Sequence, residues 1–386
     1  MTKALVAGVG MTKFGKFPDR PLADLGREAV LAALDDAGLE GSQVQIAYAG
    51  HARTGRLQGR ENGVGQLVLW ESGIRDIPIT GIGNFCASGS SAFREAVFAV
   101  LTGLYDVALA VGIEKLSLRA ERGRPLTSDG MELEGEFGFT PPAFFAMAAK
   151  AYMAETGTTR EMLAQVAVKN RRHASHNPYA QYRDTITVED VLSAPMIAEP
   201  FTRLSCCPTG DGAAAAIVVS EAAAKRLGLQ RLVRVLATSL TSGGYRGGPL
   251  GWFDIDRRAA RGAYEMASVE PRDIDIAEVH DAFTATEIIH YEDLMLCGRG
   301  EGGRMVADGE TALGGRIPVS TSGGLLSKGH PLGATGIAQI HEVVTQLRGE
   351  AGPRQVEGAR TGLTHCVGGF LDGDAASSCI HILQAI

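Results

Sequence analysis

Compact apolar runs alternate with longer stretches of helical spacing along this chain. Residues 3–8 (KALVAG), apolar after the leading lysine, and 107–112 (VALAVG) are compact apolar runs, the signature of strands buried on both faces. Between them, Leu22, Leu25, Ala29 and Ala33 recur at three- and four-residue intervals and predict an amphipathic helix over 22–37. Strand-type and helix-type segments in alternation predict an α/β fold with a largely parallel sheet covered on both faces.

The pattern also repeats. Residues 37–49 (AGLEGSQVQIAYA) align without a gap on 267–279 (ASVEPRDIDIAEV), with Leu39 on Val269, Glu40 on Glu270, Val44 on Ile274 and Ile46 on Ile276. In both copies a helix ends, a short turn follows and an alternating strand begins. Residues 84–100 (NFCASGSSAFREAVFAV) align on 328–344 (KGHPLGATGIAQIHEVV), placing Gly89 on Gly333 and Phe93 on Ile337. Each is a small-residue loop that opens an amphipathic helix. A third pair sets the buried-strand run 211–219 against 374–383. Three pairs in one order imply a duplicated α/β unit. Between Lys115 and Thr209 the first copy carries about ninety residues without a counterpart. They include a Pro- and Phe-rich stretch at 137–147, a helical pattern near 160–170 and a polar run at 171–182, and they read as an excursion that covers a site.

Composition narrows the class. The chain has 386 residues, enough for one large domain or two smaller ones. Its 50 glycines are about 13% of the positions against a usual ~7%, yet proline stands at 15 and no G-X-Y period occurs, which excludes collagen. With 45% hydrophobic residues the chain has the means to fold, so the glycines belong at special backbone positions. A formal charge of −7 offers no footprint for nucleic acid. The six cysteines, Cys86, Cys206, Cys207, Cys297, Cys366 and Cys379, lack C-x-x-C spacing, and no secretory pattern opens the chain. Free thiols in a reducing cytoplasm are expected, without structural zinc or any other bound metal. No apolar run reaches 18 residues, so a soluble protein is expected, without a membrane span.

Two repeated loops carry candidate chemistry. Cys86, in Asn84-Phe85-Cys86-Ala87-Ser88-Gly89, follows a strand at 77–82 and opens a helix. Helix N-terminal N–H groups lower a thiol pKa and can hold an oxyanion, so Cys86 is a candidate nucleophile, or else a small hydrophobe in a tight turn. His330, in Gly329-His330-Pro331-Leu332-Gly333, falls on Cys86 in the repeat, and a Cys/His pair is the minimum for activating a thiol. This loop is no phosphate cradle, because the lysine and the spacing are missing, and Gly8-Val9-Gly10 lacks the third glycine of a dinucleotide site. Glu278-Val279-His280-Asp281-Ala282-Phe283 and Thr364-His365-Cys366-Val367-Gly368-Gly369 end two further strands. Strand ends are where α/β active sites form, although each cluster alone is as consistent with structure as with catalysis.

NFCASGSSA, HDAF, GHPLGATG and C-x-G, in this order, resemble the thiolase superfamily over nearly the whole chain. The excursion, through KNRRHASHNPYAQY at 169–182, resembles the loop domain of the sterol-carrier-protein-type and archaeal-type thiolases. The resemblance implies a five-layered α-β-α-β-α duplicated fold, with an N-terminal half at 1–225, a covering loop domain at about 115–209 and a C-terminal half at 226–386. It implies CoA-dependent cleavage of a 3-oxoacyl-CoA, or the reverse Claisen condensation, through an acyl-cysteine. By resemblance, Cys86 is the nucleophile, His330 its base, and Cys366 the thiol that moves a proton at the α-carbon. His280, where most thiolases carry an asparagine, joins His330 in binding the thioester oxygen, and the backbone N–H groups of Cys86 and Gly368 form the second oxyanion hole. One departure stands out. The sterol-carrier-protein type reads H-D-C-F, whereas position 282 here is alanine, so Cys366 would restore the missing thiol.

Arg171, Arg172, His173, His176 and Ser322 are candidate CoA contacts, or a solvated basic face in the case of the 171–176 run. The other four cysteines read as packing residues, and Phe137, Phe139, Phe144 and Phe145 as an acyl-pocket wall or simple loop packing. Coenzyme A enters as a substrate, with no permanently bound cofactor. The resemblance also implies a homodimer or dimer of dimers and, in the archaeal and bacterial branch, a small zinc-ribbon/OB-fold companion. One such branch acts on benzoylsuccinyl-CoA. The alternatives are a thiolase-fold aldolase, a ketoacyl synthase, or a non-catalytic acyl-CoA-binding subunit.

Overall fold

A computed structural model describes residues 3–57, 59, 62–117, 140–244, 250–371 and 374–386. The main elements in chain order are β1 (Ala4–Met11), α1 (Leu22–Ala37), β2 (Ile46–Gly50), α2 (Val64–Glu71), β3 (Ile79–Ile82), α3 (Ser88–Leu101) and β4 (Val107–Lys115). The excursion then contributes α4 (Pro141–Thr156) and α5 (Arg160–Ser175) before β5 (Asp211–Ser220). The second half carries β6 (Val233–Ser242), α6 (Asp254–Ala267), β7 (Ile276–Glu278), α7 (Thr284–Asp293), α8 (Leu332–Leu347), β8 (Thr361–Leu371) and β9 (Asp374–Ala385).

The strands run in the order β3-β2-β4-β5-β1-β6-β9-β8-β7. The halves mirror one another about the β1/β6 contact, which pairs only Leu5 with Arg234 and Val6 with Val233. Val319 bridges Ala277 of β7 in parallel and takes the place that β3 has beside β2. The expectation of a largely parallel sheet is corrected here. Only β2/β3, β2/β4 and β7/β8 are parallel, and the other five neighbouring pairs are antiparallel. Parallel pairing requires a crossover on the sheet face. β5 is instead reached through the long excursion, and β9 folds straight back on β8 with Leu371 opposite Asp374.

Side-chain burial separates the layers. Leu25, Ala29 and Ala33 of α1 and Val68 of α2 pack against Leu109, Val111 and Ile217 on one outer face. Phe93 and Val97 of α3 meet Ile337, Ile340 and Val344 of α8 between the two halves of the sheet. Ile255, Ala259 and Ala263 of α6 cover the far face with Ile380 and Ile382. This is the five-layered α-β-α-β-α arrangement.

The duplication extends to capping details. α1 and α6 are each followed by a single 3-10 turn, Gly41–Gln43 and Pro271–Asp273. In both, the third turn residue reaches back to the residue before the turn: the Glu40 N–H donates to Gln43 Oε1 at 2.7 Å and the Glu270 N–H to Asp273 Oδ2 at 2.8 Å. α3 and α8 come together at the repeated glycines, where a Cβ on Gly89 would stand 2.3 Å from the Gly333 carbonyl oxygen. Only glycine at that position lets the two loops before these helices converge.

The excursion lies against the second half. Pro141 at the start of α4 fits a helix first turn, which has no use for its missing N–H. Phe144 and Phe145 pack on Phe370 at ring-centre distances of 4.3 and 4.8 Å, and Phe145 also meets Phe283 at 4.6 Å. These phenylalanines are therefore part of a helix seated beside the HDAF and C-x-G segments. Phe137 and Phe139 lie outside the described residues.

Candidate active site

The turn that presents Cys86 is held by its own neighbours. The Asn84 N–H donates to Ser88 Oγ at 2.9 Å, the Ser88 hydroxyl donates to the Phe85 carbonyl at 2.6 Å, and the Ala87 N–H donates to the Asn84 carbonyl at 2.9 Å. Phe85 adopts φ +50°, an uncommon conformation for a bulky residue. α3 starts at Ser88, so Cys86 stands just ahead of its unpaired N–H groups. The C-terminal loop closes over this turn. A Cβ on Gly368 would lie 2.2 Å from the Asn84 carbonyl oxygen, and one on Gly369, at φ +62°, 2.5 Å from the Phe85 ring. The Gly369 N–H and the N–H of Cys86 itself both act on the Cys86 thiol to favour its ionised form.

Four remote segments converge here. Cys86, His280 and His330 each offer a donor atom within 4.8 Å of the others, and the two imidazoles meet edge to face at 5.1 Å. Cys366 Sγ lies 3.6 Å from His280 Nδ1 and 3.2 Å from the Cys86 carbonyl oxygen, to which its thiol donates. The network assigns the His330 tautomer. The Thr335 hydroxyl donates to the Pro331 carbonyl at 3.1 Å, so its oxygen accepts from His330 Nδ1–H at 2.8 Å and Nε2 keeps a free lone pair.

Burial keeps this cluster uncharged at rest. Cys86 retains part of its surface, yet its thiol is pushed up to about 12 by burial and then by the Glu114 carboxylate. Burial also drives Cys366 well above the ordinary thiol range. His330 is lowered to about 3 by burial and then by Lys328, and His280 falls well below its ordinary value through burial and then His330. Two protonated thiols thus face two neutral imidazoles, each able to accept a proton.

Some predicted contacts are engaged elsewhere. His173 is fully buried, with Nδ1–H donating to the Ser320 carbonyl at 3.1 Å and Nε2 accepting the Leu313 N–H at 3.1 Å. Burial lowers its pKa to about 3, so this neutral ring is a structural bridge with no cation to offer CoA. Ser322, also fully buried, gives its hydroxyl to Glu278 Oε2 at 2.5 Å and its N–H to Oε1 at 2.9 Å, and so has no free donor for CoA. Arg171 stacks over Tyr182 at 4.5 Å and bonds the Asp184 carbonyl at 3.4 Å. Arg172 and His176 remain exposed.

Other residues of the site escaped the sequence reading. Glu114, fully buried at the end of β4, accepts the N–H groups of Ala52 at 2.9 Å, Arg53 at 3.0 Å, Thr54 at 2.6 Å and Gly333 at 3.0 Å. It thereby fixes the His330 loop to the first half. Cys207, read as packing, donates its N–H to the Ala282 carbonyl at 2.9 Å, and burial, Cys206 and then Cys86 raise its thiol pKa. The alanine of HDAF thus pairs through its backbone with a cysteine of the segment that ends the excursion. A second group whose donor atoms lie within 4.8 Å of one another, Asp256, His290 and His365, sits behind the first.

With this geometry in place, comparison with known proteins is specific. The thiolase N-terminal domain matches residues 4–222 and the thiolase C-terminal domain-like family matches residues 252–384. An acetyl-CoA acetyltransferase of Methanothermobacter thermautotrophicus is 42% identical, with 100% of both chains covered. Benzoylsuccinyl-CoA thiolase subunit BbsB of Thauera aromatica is 39% identical over 95% of each. Among solved structures, an Ltp2-ChsH2(DUF35) aldolase superposes with a TM-score of 0.84 at 30% identity, covering 99% of this chain and 98% of that one.

Proposed function

The chain belongs to the thiolase family and is an acyltransferase with thiolase activity, and we propose that it works through two thiols and two neutral imidazoles. In the cleavage direction Cys86 Sγ attacks the 3-oxo carbon of the acyl-CoA while His330 Nε2 takes the thiol proton. The N–H groups of Cys86 and of the Gly368–Gly369 turn hold the oxyanion. As the bond between C2 and C3 breaks, its electron pair passes to C2 and the thioester oxygen of the resulting enolate, which His280 and His330 stabilise. Cys366 delivers its proton to C2 and is left as a thiolate. Free CoA then attacks the acyl-Cys86 thioester, its proton passing to Cys366, while His330 returns the first proton to Cys86 sulfur.

The observation that carries this reading is the approach of Cys366 to both His280 Nδ1 and the Cys86 carbonyl, at 3.6 and 3.2 Å. Mass spectrometry after exposure to an acyl-CoA tests it. Wild type and Cys366→Ala should both carry the acyl adduct on Cys86, but only wild type should turn over. An adduct elsewhere than on Cys86, or near-normal turnover by Cys366→Ala, would overturn the assignment. The similarity to an aldolase gives a second reading of this fold. The presence of both thiols and both imidazoles favours the thiolase, because an aldol cleavage needs no acyl-cysteine.

The aromatic group of Phe144, Phe145, Phe283 and Phe370 supports an acyl pocket walled by rings. Among the described residues β3, the outermost strand, pairs only with β2, which supports a homodimer or dimer of dimers built on that edge. The similar aldolase carries a DUF35 protein in its name, which supports a small zinc-ribbon/OB-fold companion here. Six unpaired cysteines support a cytoplasmic setting, and among the described residues no helix is long and apolar enough to cross a membrane. Assays of linear, branched and aromatic 3-oxoacyl-CoA compounds, on full-length protein of measured mass with and without co-purified partners, test these proposals together. Aromatic substrates and a dimer mass are expected. Equal rates across the panel, or an active monomer, would overturn them.

A further inference from the structure

Behind the two thiols lies a buried group that the mechanism above leaves unused. Asp256 of α6, His290 of α7 and His365 of β8 are 0%, 2% and 0% exposed. One carboxylate stands between both rings: His365 Nε2 lies 3.1 Å from Asp256 Oδ1, and His290 Nδ1 lies 3.4 Å from Oδ2, contacts of ion-pair distance that lack hydrogen-bond geometry. The rings themselves meet edge to face at 4.5 Å. Burial pushes the Asp256 carboxyl up, yet His365 and then His290 bring it below the ordinary range, so it stays ionised between them.

Each ring leads to one of the two groups that act at the α-carbon. His365 directly precedes Cys366 in β8, and successive strand residues face opposite ways, so Asp256 grips this strand from behind while Cys366 looks toward Cys86. His290 lies close enough to His280 for each to act on the other's protonation, the His280 carbonyl favouring the charged form of His290. From the other side, Gln339 Nε2 of α8 donates to the carbonyls of Val279, at 3.1 Å, and His365, at 2.9 Å. The strand ends that carry His280 and Cys366 are therefore tied together by Gln339 on one side and backed by the buried Asp256, His290 and His365 group on the other.

We infer that Asp256 is a positioning residue for the carbon-acid half of the reaction: through His290 and His365 it sets the approach of Cys366 Sγ to His280 Nδ1. Cys86, on the opposite segment with its own hydrogen bonds, does not depend on it. The inference rests on the proposed role of Cys366 in moving the α-proton.

The test is exchange of acetyl-CoA α-protons with D2O, followed by NMR, alongside acylation of Cys86 followed by mass spectrometry. Asp256→Asn should slow exchange by about tenfold or more while acylation stays within about threefold, because only one half-reaction loses its geometry. Loss of both rates together, or neither, would overturn the inference, and so would one equivalent of a divalent metal co-purifying with the wild type and lost from the variant. If Asp256→Asn does not fold, His290→Gln, which removes the His290 ring and leaves the Asp256–His365 contact in place, should give the same split. Cys366→Ala separates the two levels. If it keeps exchange, the role of Cys366 is wrong; if it abolishes exchange while Asp256→Asn leaves it intact, only the positioning role fails.

Discussion

At the residue scale the site is distinguished by having no resting charge on its reacting groups. A thiol pushed up to about 12 beside an imidazole lowered to about 3 is no preformed ion pair, so proton transfer must accompany attack. That makes the tautomer of His330 decisive, and Thr335 decides it. Thr335→Val keeps the volume but removes the acceptor for Nδ1–H. The ring is then free to place its proton on Nε2, where it cannot act as a base. Steady-state kinetics should show kcat for acyl transfer reduced about 10- to 100-fold, which corresponds to roughly 1.4 to 2.7 kcal/mol, with KM for acyl-CoA little changed. An unchanged kcat would mean that something other than this hydroxyl orients the base. Cys86, His280, His330 and Cys366 are visible in the chain because each stands in a short pattern of unusual residue types. Thr335 stands in one of these patterns too, but its part is not legible there, because its contribution is the orientation of a hydroxyl.

At the element scale, legibility followed how local each feature is. The helix over 22–37 ends where its apolar spacing ends, with Gly38 in the left-handed conformation just beyond it. The repeat of 37–49 on 267–279 was readable because both copies use the same reach-back cap, Glu40 with Gln43 and Glu270 with Asp273. Strand direction was not readable. The alternation of runs says that strands and helices follow one another, but β5 pairs with β4 only after some ninety intervening residues, and nothing in either run encodes their relative sense. His173 failed for a related reason. A histidine beside two arginines reads as a basic face, yet the helical turn that exposes Arg172 points its neighbour inward to the Ser320 carbonyl. Sequence proximity of charges is a poor guide to a shared surface when residues lie on a helix, because adjacent positions there face different ways.

At the scale of the whole molecule, the neutrality of the active site becomes a property of the fold. His173, His280, His290, His330, His341 and His381 are all buried with lowered pKa values, burial being the leading cause in each. In the unfolded chain these rings titrate near 6.5, so below that pH the unfolded state binds protons that the native state refuses. Their contribution to stability is present above pH 6.5 and is lost as the pH falls toward the folded values. Glu114, Glu278, Asp281 and Asp293 act in the opposite sense, since burial raises them and the fold holds their protons to a higher pH than the unfolded chain does. The lowered histidines outnumber these raised carboxyls, so stability should fall as the pH drops below 6.5. On the alkaline side all six thiols are raised by burial. Above about pH 9 they ionise in the unfolded chain and not in the fold, so stability is lost again as pH rises. Thermal melts at fixed ionic strength should therefore show a maximum Tm between about pH 7 and 8.5, with a fall of at least about 5 °C by pH 5.5 and another by pH 10. A Tm flat across that range would mean that these rings and thiols meet water in the native state.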